Sequence, residues 1–273
     1  MASITGHHPL AFTFGLLGNI VSFMVYLAPL PTFYRVYKKK STEGFHSVPY
    51  VVALFSAMLW LYYSFVNPNG SMLLTINSVG CTIETTYIIV YIIYAPRPAK
   101  IFTIKLLLLL NVCVFGLILL CTILFAEGSK RVTILGWICS AFAVSVFAAP
   151  LSVMRLVIKT KSVEFMPISL SFFLTLCAIM WFFYGLLMKD LYVAFPNILG
   201  FIFGITQMAL YICYKDSKPD IVPESKLPDL VIDIELSTKE DPNTQPNDNK
   251  PKDHTALNQS VHNKRIEPND SNV

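Results

Sequence analysis

This 273-residue chain is short of charge: Asp, Glu, Lys and Arg make up 14% of it, against about 25% in an ordinary soluble domain. Acids are scarcest. Residues 1–214 hold 13 Lys and Arg but only 5 acids, Glu43, Glu84, Glu127, Glu164 and Asp190, whereas residues 215–273 hold 8 basic and 12 acidic residues. An apolar body of net +8 thus carries a polar tail of net −4. The basic residues fall in short clusters between apolar runs, which excludes a continuous nucleic-acid-binding face. No Cys-x-x-Cys occurs. Cys81, Cys113, Cys121, Cys139, Cys177 and Cys213 each sit inside an apolar run, so neither a disulfide framework nor a metal site is expected, and no cofactor. The His residues lie outside those runs (His7, His8, His254 and His262) or at the very edge of one (His46). With no nucleophile–base pair in view, catalysis is not expected.

What the chain has is hydrophobic length. Apolar residues make up 54%, gathered into runs near 11–34, 46–66, 71–94, 103–125, 133–157, 167–187 and 191–214. Each is long enough to cross the roughly 30 Å hydrocarbon core of a bilayer as a helix. The expected fold is all-α, a polytopic membrane protein of seven spans. The first run has no Lys or Arg before it and outlasts the apolar core of a secretion signal, so it reads as a true span. Pro29, Pro31, Pro150 and Pro196 fall inside spans, where they free backbone groups and permit kinks. Twelve basic residues flank one face of the array and three, Lys130, Arg131 and Lys189, the other. That bias puts the N-terminus outside and the C-terminus in the cytosol. The Pro-, Asn- and Asp-rich segment 216–273 is expected to be a disordered cytosolic tail.

The body repeats itself. Ala28-Pro29-Leu30 answers to Ala149-Pro150-Leu151, and Lys40-Ser41-Thr42-Glu43 to Lys161-Ser162-Val163-Glu164. Trp60 pairs with Trp181, Tyr63 with Tyr184, Asn77 with Asn197 and Pro49 with Pro167. Most of these pairs lie 121 positions apart, the asparagines 120 and the last prolines 118. A three-span unit that starts outside ends inside, so one extra span is needed for the second copy to run the same way. The expected architecture is 3+1+3: a first unit at 1–97, a linker helix at 98–130 and a second unit at 131–215. Duplicated membrane units commonly serve transport, because two similar halves can rock about a site between them.

Asn77 and Asn197 fall in the third span of each unit. A carboxamide is costly in a membrane unless paired or facing water, and its donors and acceptor suit the hydroxyls of a neutral solute. Trp60 and Trp181 lie in mid-span, away from the interfacial aromatic belt, where flat faces could pack on a sugar ring. Tyr63 and Tyr184 follow about one turn later, and Tyr63 or Tyr184 bonded to Asp190 would make an outer gate. Pro29, Pro49, Pro150 and Pro167 lie toward the cytosolic halves of the first two spans, as hinges or a constriction. Glu84 is the one acid well inside a span, which raises proton coupling as the alternative mechanism. Its repeat position is Gly204.

These residues resemble the plant SWEET (MtN3/saliva) sugar facilitators over about 8–215. The stretches 38–45, 148–155 and 161–167 are similar to family signatures. The resemblance implies uniport of mono- or disaccharides by alternating access, with the lipid bilayer as surroundings, the plasma membrane as location and homo-oligomers as a common state. By resemblance, Asn77, Asn197, Trp60 and Trp181 line the sugar site. Pro29, Pro49, Pro150 and Pro167 form a proline tetrad, and Tyr63, Tyr184 and Asp190 an outer gate. Val25, Ser56, Val146 and Cys177 match positions that set sugar size, and this small set is similar to the sucrose-selective clade. Cys177 stands where that pattern has serine, a stronger hydrogen-bond donor. Sucrose is the leading expectation, with glucose or other hexoses beside it. A proton-coupled exporter on the same repeat is the alternative, and the duplication argues against a seven-helix receptor.

Overall fold

Each of the seven apolar runs becomes a helix in the computed structural model, which describes residues 9–163, 166 and 168–216. In chain order these are α1 (Pro9–Lys39), α2 (Val48–Val66), α3 (Ser71–Tyr94), α4 (Arg97–Phe125), α5 (Gly128–Thr160), α6 (Ile168–Leu187) and α7 (Leu191–Tyr214). All are long and apolar enough to cross a bilayer, and the described residues contain no strand. The tail from 217 onward, with Glu164, Phe165 and Pro167, lies outside the described residues.

The first helix of each half is broken, and proline is the reason. Pro29 has no N–H to give the Val25 carbonyl, which takes the N–H of Ala28 at 3.1 Å instead, and α1 divides into Pro9–Leu27 and Leu30–Lys39. The ring of Pro150 crowds the carbonyl a turn earlier. There Phe147 donates to Val144 at 3.1 Å and α5 divides into Gly128–Val146 and Ala148–Thr160. Pro196 lies inside α7. Its missing donor frees the Tyr192 carbonyl, which accepts from Ser140 Oγ of α5 at 2.7 Å, a partner of the kind buried polar backbone needs in a membrane.

The helices form two like-oriented triplets. In the first, α3 packs on both α1 and α2; in the second, α7 packs on both α5 and α6. The triplets meet along two seams, α1 with α6 and α2 with α5. Glycines allow close approach at these packings, where association rests on fit rather than on a hydrophobic drive. A Cβ on Gly18 would lie 3.1 Å from the Trp181 indole, and one on Gly15 would lie 3.0 Å from the Tyr184 ring. The unpaired helix α4 lies along α2. Two hydroxyl pairs pin it there, Ser47 with Thr103 at 2.6 Å and Tyr62 with Thr122 at 2.9 Å. Between the pins, Leu108–Val114 is wound as a π-helix.

Candidate functional site

A cavity of about 320 Å³ lies between the triplets. Trp60 of α2, Asn77 of α3, Trp181 of α6 and Asn197 of α7 all line it, with Val25 and Cys177. Both amides are held alike. Asn77 Nδ2 donates to the Leu73 carbonyl at 2.8 Å and Asn197 Nδ2 to the Val193 carbonyl at 2.7 Å, each one turn back. Each keeps its amide oxygen and a second N–H to offer a ligand. The indoles are held alike too, edge-on to Tyr63 (centroids 5.6 Å apart) and to Tyr184 (5.3 Å). They differ in one bond. Trp181 Nε1 donates to Ser22 Oγ at 3.0 Å, and that hydroxyl lies 3.1 Å from Cys177 Sγ. The position equivalent to Ser22 is Ala143, which has no acceptor to give Trp60. Among the described residues, no Asp, Glu, Lys, Arg or His lines the cavity. Such a pocket can grip a neutral, hydroxyl-rich molecule through amides and flat rings.

One end of the site is latched. Tyr63 donates its hydroxyl to Asp190 Oδ2 at 2.7 Å. The other carboxylate oxygen accepts from the backbone N–H groups of Tyr192 (3.1 Å) and Val193 (3.3 Å), capping α7. Tyr184 donates to the Asn69 carbonyl at 3.0 Å. Tyr63 and Tyr184 are 121 positions apart, and so are Asn69 and Asp190. Each tyrosine therefore reaches across to the matching point of the opposite loop, finding a carboxylate in one case and a peptide carbonyl in the other. At the opposite, lysine-rich end, Leu30–Lys39 packs on α3 and Ala148–Thr160 on α7, each within its own triplet. Pro29 is half-buried at the break in α1, Pro150 sits just past the break in α5, and Pro49 is exposed in the first turn of α2.

A family model described as "Sugar efflux transporter for intercellular exchange" (MtN3/saliva) matches residues 12–99 and 133–219. The chain belongs to the MtN3/SWEET family. Its relatives include the bidirectional sugar transporter SWEET13 of Oryza sativa subsp. japonica, 63% identical over 219 residues that cover 80% of this chain and 74% of the relative. The bidirectional sugar transporter NEC1 of Petunia hybrida is 64% identical over 209 residues, covering 77% and 78%. The bidirectional sugar transporter SWEET11 of Arabidopsis thaliana is 54% identical over 239 residues, covering 85% and 83%. A solved structure of a eukaryotic SWEET transporter superposes with a TM-score of 0.72 at 37% identity, over 77% of this chain and 98% of that one. All cavity-lining residues fall inside the two matched SWEET segments, and most of α4 falls outside them.

Several lining residues carry no obvious sequence signal of a site, although Pro196 marks a kink: Tyr26, Phe147, Ser22, Ala143, Leu73, Val193, Ile76 and Pro196. They are nevertheless four repeat-related pairs, 120 or 121 positions apart, so extending the register outward from the Asn and Trp pairs could have found them. Val25 and Cys177 line the cavity and their repeat mates do not. Val146 is 42% exposed at the end of the first segment of α5, and Ser56 is half-buried in α2. Glu84 also lies off the cavity. It is 4% exposed, and its Oε2 has no partner among the described residues.

Proposed function

We propose that this chain is a bidirectional sugar uniporter, with sucrose its leading substrate and glucose or other hexoses beside it. The observation that carries this reading is the uncharged cavity to which each triplet contributes one amide and one indole. Asn77 and Asn197 hydrogen-bond sugar hydroxyls, while Trp60 and Trp181 pack on the C–H faces of the rings. A neutral solute needs no ion gradient, and binding stays moderate because a carrier must release what it holds. The basic flank faces the cytosol, so the Asp190 end is extracellular, in the plasma membrane. There Tyr63, Tyr184 and Asp190 form the outer gate. On the cytosolic side, the breaks beside Pro29 and Pro150 let the second segments of α1 and α5 swing, with Pro49 beside them in a constriction; Pro167, the fourth proline of that reading, lies outside the described residues. The units 1–97 and 131–215 are the rocking halves and 98–130 the linker.

The test is sucrose and glucose flux into vesicles carrying Asn77→Ala with Asn197→Ala. Normal folding and membrane delivery with transport abolished is the expected result, and retained sucrose flux removes the asparagines from the site. The unpartnered Glu84 carboxyl favours a second reading, proton coupling. A protonophore separates the two, since a uniporter keeps running and a proton-coupled exporter stops.

A further inference from the structure

Two latches close the Asp190 end, and one side chain touches both. Asn67 ends α2, its backbone N–H donating to the Tyr63 carbonyl at 2.9 Å. Its Nδ2 donates to Asp190 Oδ2 at 3.0 Å and to Tyr63 Oη at 3.1 Å. Its Oδ1 accepts from the backbone N–H of Asn69 at 3.1 Å. That same Asn69 supplies the carbonyl that takes the Tyr184 hydroxyl. The loop between these bonds has little freedom. Gly70 donates to the Asn67 carbonyl at 3.0 Å, and a Cβ on Gly70 would lie 2.6 Å from the Ser64 carbonyl oxygen. A rigid turn therefore connects the Asn67 amide to the second latch. The repeat position of Asn67 is Met188, which has no amide, so the connection comes from the first half alone.

We infer that Asn67 is a positioning residue that ties the Tyr63–Asp190 and Tyr184–Asn69 latches together, so that the outer face opens and closes as one. The inference rests on the reading of Tyr63, Tyr184 and Asp190 as the outer gate. Asp190 is the group that needs Asn67 most, because a half-buried carboxylate is held by the charge-assisted hydrogen bonds aimed at it. Tyr63 and Asn67 both give to its Oδ2, and removing Asn67 leaves Tyr63 to hold it alone. The same removal frees the Asn69 peptide and slackens the Tyr184 latch with no change to Tyr184 itself.

A native thiol reports on the gate. Cys177 lines the cavity while Cys139 is buried, so a background of Cys81→Ala, Cys113→Ala, Cys121→Ala and Cys213→Ala leaves Cys177 as the reactive group. A membrane-impermeant maleimide applied to intact cells reaches it when the outer face opens. Labelling should be slow in that background and faster in Tyr63→Phe and in Tyr184→Phe. Asn67→Ala should raise the rate about tenfold, as loss of a hydrogen bond to a carboxylate implies. Asn67→Asp should do the same by setting two carboxylates together. Asn67→Asp with Asp190→Asn should restore slow labelling, because amide and carboxylate trade places and Asn still caps α7. A residue that merely shaped the turn would not be rescued by a change at position 190. Basal labelling in Asn67→Ala and Asn67→Asp beside fast labelling in Tyr63→Phe overturns the brace and leaves the gate standing. Basal labelling in both tyrosine variants overturns the gate itself. Should Asn67→Ala fail to reach the membrane, Asn67→Asp and its swap with Asp190 decide: a swap that labels as fast as Asn67→Asp overturns the inference.

Discussion

Replacing Gly80 by alanine should narrow the cavity without harming the fold. Gly80 lies on α3, and the Tyr26 phenol rests against it. An added Cβ would stand 2.5 Å from the Tyr26 hydroxyl oxygen and 2.6 Å from Cζ, where ordinary contact is 3.4–4 Å. The ring must retreat by about 1 Å, a displacement of the size that disturbs positioned groups, and the space open to it is the cavity it already lines. Overpacking of this kind costs about 1–3 kcal/mol. Alanine regains about 1 kcal/mol over glycine inside a helix, so the protein should still fold and reach the membrane. Borne by the transport cycle, the same 1–3 kcal/mol is a factor of about 5–150. Sucrose flux should therefore fall at least fivefold, on the order of the lower bound, and glucose flux less. The repeat supplies the control. Gly200 is the equivalent position and faces Phe147, which has no hydroxyl, so an added Cβ would meet Cζ at 3.4 Å and the Ala178 Cβ at 3.3 Å. Gly200→Ala should stay within about twofold of wild type, since neighbours can yield a few tenths of an ångström cheaply. Tyr26→Leu in the Gly80→Ala background should recover sucrose flux. The assay is radiolabelled sucrose and glucose efflux, normalised to surface protein. Equal sucrose flux in Gly80→Ala and Gly200→Ala would refute the reasoning.

Three further outcomes are expected. Val25→Phe and Val146→Phe should each lower sucrose flux more than glucose flux, with Val25 the larger effect because it alone of the two lines the cavity; equal losses of both sugars argue against a size filter. Ser22→Ala removes the acceptor of Trp181 Nε1 and should weaken apparent sugar affinity about fivefold, the worth of one neutral hydrogen bond, whereas an unchanged concentration dependence would show that the indole needs no anchor. Cys177→Ser turns a 3.1 Å hydroxyl–thiol contact into a stronger hydroxyl pair and should keep sucrose flux, which a competition series of sucrose, glucose and fructose would check.

The spans were legible because a bilayer accepts a narrow range of chains: about twenty apolar residues and few charges. Their ends shifted where polar residues continue the helix, as at Leu30–Lys39 and Arg97–Lys105, where length and hydropathy stop agreeing. The Asn and Trp pairs were legible through duplication, since two copies of a costly residue at one register are hard to explain separately. Tyr26 was not, because an aromatic in a span reads as ordinary packing until Gly80 is seen opposite it. Asn67 was not, because Asn beside Pro reads as a turn former; its decisive bond crosses 123 positions to Asp190. Ser56 and Val146 follow Cys177 and Val25 by register, yet a structure latched at one end need not present equivalent positions equally. The break at Phe147 shows a subtler limit. Proline marks the kink, but the backbone yields near the carbonyl it crowds, a turn before the proline itself.

The two hydroxyl pins that hold α4 against α2 bear on where this chain can be divided. They join α4 to the first triplet as a packed body of four helices and leave three beyond it, although the duplication counts three and three. Fragments separated in the short α4–α5 connection near Glu127 would each keep their own contacts and could reassemble when expressed together. A break near Pro96 would strip the first fragment of its fourth helix and take from Ser47 and Tyr62 their bonds to Thr103 and Thr122.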